Sequence, residues 1–304
     1  MEVFVTGGSG FVGRSLSQGL LRQGHGVTVL SRSAGAAARL PPGVKTCLGD
    51  PTSPGPWQEE AARCQGFVNL AGASIFERWT PEYKRLILES RLQSTSNLVL
   101  AMGRRQDSQP AVLLSASAVG YYGFHGDEEL DENAPAGNDF LAQVCRRWEA
   151  EAARAQDLGA RVVRTRFGIV LGDKGGALGK MLPIFRLGLG GVLGSGKQWF
   201  SWIHQQDLVS ALLWCLERPE ASGAINCTAP RPVTNRDMAK ALGRVLRRPS
   251  FWPVPGFAVE LALGEFGSVL TQGQRVLPRR LLAMGFGFTF PTVEQALADL
   301  LAAA

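Results

Sequence analysis

Histidine, tyrosine and lysine are all scarce in this 304-residue chain, and each scarcity closes off a chemistry. The three histidines, His25, His125 and His204, form no HExxH and no close pair, so a metal site built on imidazole is not expected. The five cysteines, Cys47, Cys64, Cys145, Cys215 and Cys227, lie far apart with no CxxC, which disfavours a disulfide framework or a zinc ribbon. No apolar stretch free of charge reaches the ~18 residues that a spanning helix needs. The N-terminus carries Glu2 and reaches glycine by Gly7, unlike a secretory leader. No GxSxG occurs, so a serine hydrolase of the α/β type is disfavoured. Lysine supplies six of the 32 basic residues, and no basic run exceeds pairs such as Arg104-Arg105 and Arg279-Arg280. The net charge of +6 therefore reads as a scattered arginine surface and not as a nucleic-acid footprint. From these absences the expectation is a cytoplasmic protein with neither a membrane nor a nucleic-acid partner.

What is present is a core and an alternation. Hydrophobic residues make up 45% and charged residues 19%, enough to build a large folded unit. Strands are expected at Glu2–Thr6, Val27–Leu30, Val44–Leu48, Phe67–Leu70, Ala111–Ser115 and Arg161–Phe167. Helices are expected between them: Phe11–Gln23, Trp57–Cys64, a long one from Thr80-Pro81 to about Arg105, and Asp139–Leu158. Such alternation means a doubly wound parallel sheet with helices on both faces, an α/β Rossmann fold. Beyond residue 172 the order changes to glycine-rich segments, helices at Asp207–Glu217 and Thr234–Leu246, and a strand at Ala224–Cys227. Phe251–Gly256 (FWPVPG) reads as a linker, and 257–304 as mostly helical. The expected organisation is a dinucleotide domain over 1–172 that also receives parts of 205–228, substrate-lobe elements over 173–250, and a small helical piece over 251–304.

The most informative local feature is TGGSGFVG after the first strand. Gly7, Gly10 and Gly13 fit GxxGxxG, and Gly8, Gly10 and Gly13 fit GxGxxG. The first glycine turns out of the strand, the middle one admits a pyrophosphate, and the last lets helix and strand pack closely. The helix start then offers free N–H groups and a positive dipole end. The second strand ends in Leu30-Ser31-Arg32, where an NAD site usually carries an acid for the ribose 2′-hydroxyl. A serine donor and an arginine suit a 2′-phosphate, so NADP(H) is expected over NAD(H).

These residues resemble an extended short-chain dehydrogenase/reductase of the nucleotide-sugar epimerase type. The likeness is carried by TGGSGFVG, by Asn69-Leu70-Ala71-Gly72, by Ser115-Ala116-Ser117, and by Arg166–Gly172 (RFGIVLG). It extends to Gly194-Ser195-Gly196 with Trp202-Ile203-His204 and Asp207-Leu208. Arg78-Trp79, Ser90-Arg91, Gly120-Tyr121-Tyr122-Gly123, Gly175-Gly176 and Gly273–Pro278 (GQRVLP) are similar to one atypical subgroup. The resemblance covers nearly the whole chain. It implies that Gly7, Gly10, Phe11, Val12 and Gly13 hold the pyrophosphate, that Ser31 and Arg32 take the 2′-phosphate, and that Asp50 lies near adenine. Leu70, Ala71 and Gly72 would line the ribose and nicotinamide side, with Ser115, Ser117 and Val170 near the nicotinamide and Arg91 as a further contact.

One element of that family is missing. Its usual acid–base pair is Tyr-x-x-x-Lys, and the residues four on from Tyr83, Tyr121 and Tyr122 are Ile87, His125 and Gly126. The atypical subgroup lacks the pair too. Three alternatives stay open: Ser117 orienting a carbonyl with Tyr121 or Tyr122 as proton donor, His204 as the acid–base group, or cofactor binding without turnover. Lys197, inside a GxxxxGK that lacks the following Ser or Thr, and Arg78 are candidate contacts to an anionic small-molecule substrate. The expected function is an NADP(H)-dependent oxidoreductase or epimerase-like enzyme, monomeric or dimeric. The alternative is a silent NADP(H)-binding regulator, for example of cell division.

Overall fold

Buried valine, leucine and phenylalanine runs at the expected places build one parallel sheet. The computed structural model describes residues 1–107, 109–173 and 175–302. The sheet strands are β1 (Glu2–Thr6), β2 (Gly26–Ser31), β3 (Lys45–Leu48), β4 (Gly66–Asn69), β5 (Val112–Ala118), β6 (Arg161–Phe167) and β7 (Gly223–Cys227). They lie side by side in the order β7-β6-β5-β4-β1-β2-β3, all parallel. The order reverses beside β1, and in open α/β sheets a ligand binds outside the strand ends at such a switch point. Register puts Thr6 beside Asn69, Asn69 beside Ser115, and Ser117 beside Arg166.

Helices cover both faces because the strands are apolar on both. On one face α1 (Phe11–Arg22) and a later helix, Gln205–Glu217, enclose Val3, Val5, Leu16, Leu20 and Leu212. On the other, α2 (Pro81–Met102) and α3 (Phe140–Ala153) enclose Phe4, Trp57, Phe67, Leu98 and Leu113. Thr80 and Asp139 cap α2 and α3 as expected, accepting from the N–H of Tyr83 at 3.1 Å and of Ala142 at 3.0 Å, each worth about 1 kcal/mol.

The lobe has its own core. It is built from α4 (Gly176–Arg186), α6 (Asn235–Leu246) and the C-terminal helix Val293–Ala302, with α5 being Gln205–Glu217. Phe251–Gly256 is not a plain linker: Trp252–Val254 forms a strand parallel to Gly191–Leu193. Proline is tolerated there because the strand is short and at an edge, where a missing N–H costs no ladder bond. Helices α7 (Gly256–Leu263) and α8 (Phe266–Thr271) follow it. Phe266 reaches back to Trp79 with ring centroids 5.7 Å apart, and Lys84 pairs with Glu265 at 2.8 Å. These contacts tie the lobe to the loop after β4 and to the first turn of α2.

Candidate functional site

The turn after β1 is closed by contacts that only glycine permits. Gly7 has φ +73°, and a Cβ there would lie 2.6 Å from the Leu70 carbonyl carbon across the switch point. A Cβ on Gly13 would lie 2.4 Å from the Gly7 carbonyl oxygen. Gly10 is the N-cap of α1 and brings no side-chain cap. The first N–H groups of a helix have no partner within it, so those of Phe11, Val12 and Gly13 are left for a ligand. Gly172, Gly175 and Gly176 pack on the Phe11 ring, and Gln205 donates to the Phe11 carbonyl at 3.0 Å. The Phe11 end of the turn is therefore clamped by the segment that follows Val170.

The neighbouring strand ends bring the other expected cofactor residues to the same edge. Asn69 fixes the end of β4: it accepts from Thr6 Oγ1 at 2.6 Å and donates to Thr95 Oγ1 at 2.8 Å. Its Oδ1 also accepts from the N–H of Ala71 at 3.3 Å, which orients Leu70-Ala71-Gly72. Arg91 lies against Gly72, donates to the Ile87 carbonyl at 2.9 Å and sits 5.1 Å over the Trp148 ring. Burial pulls its guanidinium below the usual value, and no carboxylate offsets that among the described residues. Such a cation suits an anionic ligand. Arg32 is exposed, while the Ser31 hydroxyl is buried and donates to the Ser33 carbonyl at 3.0 Å. The serine therefore spends its proton within the turn. Asp50 accepts from the N–H and hydroxyl of Thr52 at 2.9 and 2.7 Å, which holds its carboxyl below the usual range.

Around Ser117 the structure assembles a polar network that the sequence did not announce. The Ser117 hydroxyl donates to Glu149 Oε1 at 2.7 Å. Glu149 is held by Arg166 through two parallel bonds, Nε to Oε1 at 2.8 Å and Nη2 to Oε2 at 2.9 Å. Arg166 also donates to the Tyr122 hydroxyl at 2.9 Å, which in turn donates to Asn226 Oδ1 at 2.6 Å. Asn226 donates its backbone N–H to Glu132 at 3.1 Å. Ser117, Glu149, Arg166, Tyr122, Asn226 and Glu132 are all buried. Burial pushes the Tyr122 phenol up to about 12, against the pull of Arg166.

Two consequences concern the proposed proton donors. Tyr122 is fully enclosed with its hydroxyl committed on both sides, and Tyr83 donates to the Ser74 carbonyl at 2.8 Å. Tyr121 is half-buried, with the Arg166 guanidinium 3.4 Å from its ring centroid and no hydrogen bond from its hydroxyl among the described residues. Ser117, its proton on Glu149, presents lone pairs and not a donor to a bound carbonyl.

His204 turns elsewhere. Its Nδ1 accepts from the Gln206 N–H at 3.0 Å, capping α5, and its Nε2 faces Asp299 at 3.3 Å with the ring against Phe290. The GxxxxGK segment leads into a strand, Trp199–Phe200, and not a helix, so Lys197 lacks the helix start of a phosphate loop. Lys197 and Arg78 are exposed. Glu149, Arg166 and Asn226 were missed because their partners lie 17 to 104 positions away, although Arg166 inside a strand was a signal.

Comparison with known proteins fits this geometry. The model of the NAD dependent epimerase/dehydratase family matches residues 3–227, and that of a domain of unknown function, DUF1731, matches 254–300. The chain is 45% identical over 298 residues to the chloroplastic SDR39U1 homolog, an epimerase family protein of Arabidopsis thaliana, covering 98% of this chain and 86% of that one. It is 38% identical over 303 residues to the epimerase family protein YfhF of Bacillus subtilis, covering 99% and 98%. The crystal structure of human SDR39U1 isoform 2 with NADPH superposes at TM-score 0.87 with 37% identity, covering 100% of both chains. The Thermus thermophilus UDP-glucose 4-epimerase complex with NAD, at TM-score 0.79 and 22% identity over the full length of both, shares the fold.

Proposed function

This chain belongs to the NAD dependent epimerase/dehydratase family, and on that premise we propose that it binds NADP(H) and reduces a carbonyl, or oxidises the matching alcohol, on a small molecule. The observation that carries the cofactor is the uncapped start of α1 behind a turn that only glycine can form. Gly7, Gly10, Phe11, Val12 and Gly13 hold the pyrophosphate, Arg32 the 2′-phosphate, and Leu70–Gly72 with Arg91 the ribose side. Human SDR39U1, crystallised with NADPH, supports the choice of NADP(H).

Bound NADP(H) supplies or takes the hydride. Tyr121 gives a proton at the substrate oxygen, because its hydroxyl is the uncommitted one beside the Ser117 network. Ser117 accepts a hydrogen bond from a substrate hydroxyl, and Glu149 with Arg166 fixes it in that role. Titration calorimetry with NADPH and NADH, then a screen of carbonyl compounds for NADPH oxidation, tests this. Tyr121→Phe is expected to lower turnover by roughly 100-fold with NADPH affinity kept. Turnover untouched by Tyr121→Phe and Ser117→Ala together would overturn the assignment.

The burial of Ser117 favours a second possibility, retention of the cofactor without turnover, in which the chain acts as an NADP(H)-dependent regulator. Tight NADPH binding with no oxidation by any carbonyl tested would select it.

A further inference from the structure

The lobe carries an apolar ledge that the cofactor site does not use. Leu187 and Leu189 follow α4, Phe251 and Trp252 enter the edge strand, and Phe257 and Leu261 lie one turn apart on α7. Leu261 is 82% exposed, Leu187 75%, Phe257 74% and Phe251 70%. The two stretches share one edge: Trp252 pairs with Gly191, and a Cβ on Gly188 would touch the Pro249 ring at 3.4 Å. The Phe251 and Trp252 rings lie 5.3 Å apart. At such exposures these side chains protrude and do not line a groove.

The charge around them is mainly positive. Arg186, Arg247 and Arg248 are exposed in the same two stretches. Residues 184–193 contain no acid, and the single carboxylate of 247–263 is Glu260, which accepts from Thr271 Oγ1 at 3.3 Å.

We infer that this ledge is the docking face for an anionic lipid bilayer. Protruding aromatic and aliphatic side chains enter the boundary between headgroups and acyl chains while neighbouring guanidinium groups reach the phosphates. A second copy of the chain fits poorly, because a two-fold contact would set three arginines against three. No described helix is long and apolar enough to cross a membrane, so the contact is peripheral.

Sedimentation of the full chain with vesicles tests this, comparing phosphatidylglycerol–phosphatidylcholine mixtures with pure phosphatidylcholine. The anionic vesicles are expected to carry about tenfold more protein, with the excess lost in roughly 0.5 M salt. Trp252 emission should shift to the blue on binding. Phe257→Asp with Leu261→Ser, and separately Arg247→Glu with Arg248→Glu, should each abolish the excess while NADPH binding is kept. Equal partition onto both vesicles, or pelleting indifferent to both double variants, overturns the inference. So does a dimer by light scattering that Leu261→Ser dissociates, which gives the ledge to a second copy.

Discussion

Two sites stand side by side at the carboxyl edge of the sheet, and they are made of different material. The turn at residues 7–13 is backbone: helix N–H groups behind glycines whose Cβ would collide with the Gly7 carbonyl or Leu70. The network around Ser117 is side chain, drawn from β5, α3, β6, β7 and the loop between β5 and α3. The first is contiguous in sequence and partly open to solvent. The second is assembled across the fold and buried, so its ionic groups depend on one another. Removing a piece should therefore act differently in each: on binding in the first, on folding in the second.

Glu149→Ala tests the sharpest form of that contrast. It strands Arg166 and the Ser117 hydroxyl in a buried place, and breaking a buried pair from one side costs about 3–5 kcal/mol. Urea unfolding of the variant should show a loss of that size. Replacing both partners, Glu149→Leu with Arg166→Met, should recover part of it, since neither buried charge is then left without the other, and the half-buried Arg164, 3.8 Å from Glu149, can turn to solvent. A single variant as stable as the parent would mean that the pair is not buried in solution.

The same contrast explains what the sequence disclosed. The glycine turn, the strand–helix alternation and the caps at Thr80 and Asp139 depend on neighbours within a few positions, so pattern alone carries them. The pairing of Ser117 with Glu149 depends on β5 lying against α3, and that of Tyr122 with Asn226 spans 104 positions. Tyr121 and Tyr122 are adjacent and chemically alike, and only the fold separates a committed hydroxyl from an available one. At Ser31 the residue was legible and its partner was not: the Ser33 carbonyl takes the proton expected for a phosphate.

Gly13→Ala probes the first site. In an open helix the change would stabilise by roughly 1 kcal/mol. Here the new Cβ would sit 2.4 Å from the Gly7 carbonyl oxygen and 2.6 Å from the Gly8 Cα, forcing turn and helix apart. Calorimetry should show NADPH affinity down by about 100-fold, some 2.7 kcal/mol. A variant that binds as before would show that the turn yields without cost.

Alkaline unfolding returns to the network with a smaller effect. Burial pushes the Tyr122 phenol up to about 12, against about 10 in an unfolded chain. Between those values the unfolded chain has released a proton that the folded chain keeps, so stability falls as pH rises through that window. The loss should approach roughly 2 kcal/mol near the top of it. Tyr122→Phe should start less stable, having deprived Asn226 Oδ1 and Arg166 of a partner, and lack this Tyr122 component of the alkaline slope. Denaturant midpoints at about pH 9 and about pH 11.5 measure both quantities.

The smallest effect asks whether the backbone site is backbone throughout. Arg32 is exposed at the end of β2, close enough to Asp50 to help hold that carboxyl below its usual range. An exposed charge pair is worth about 1 kcal/mol or less, so Arg32→Ala should weaken NADPH by no more than about fivefold, shift NADH hardly at all, and leave folding stability alone. Ser31→Ala should change neither affinity much, because its hydroxyl already serves the Ser33 carbonyl. The ratio of the two affinities is the useful number. If it collapses in Arg32→Ala, a single flexible side chain supplies the choice between cofactors while the glycine turn supplies the affinity they share. If both cofactors weaken alike, the guanidinium packs on the adenine common to them, and selection must come from another cation at the same edge.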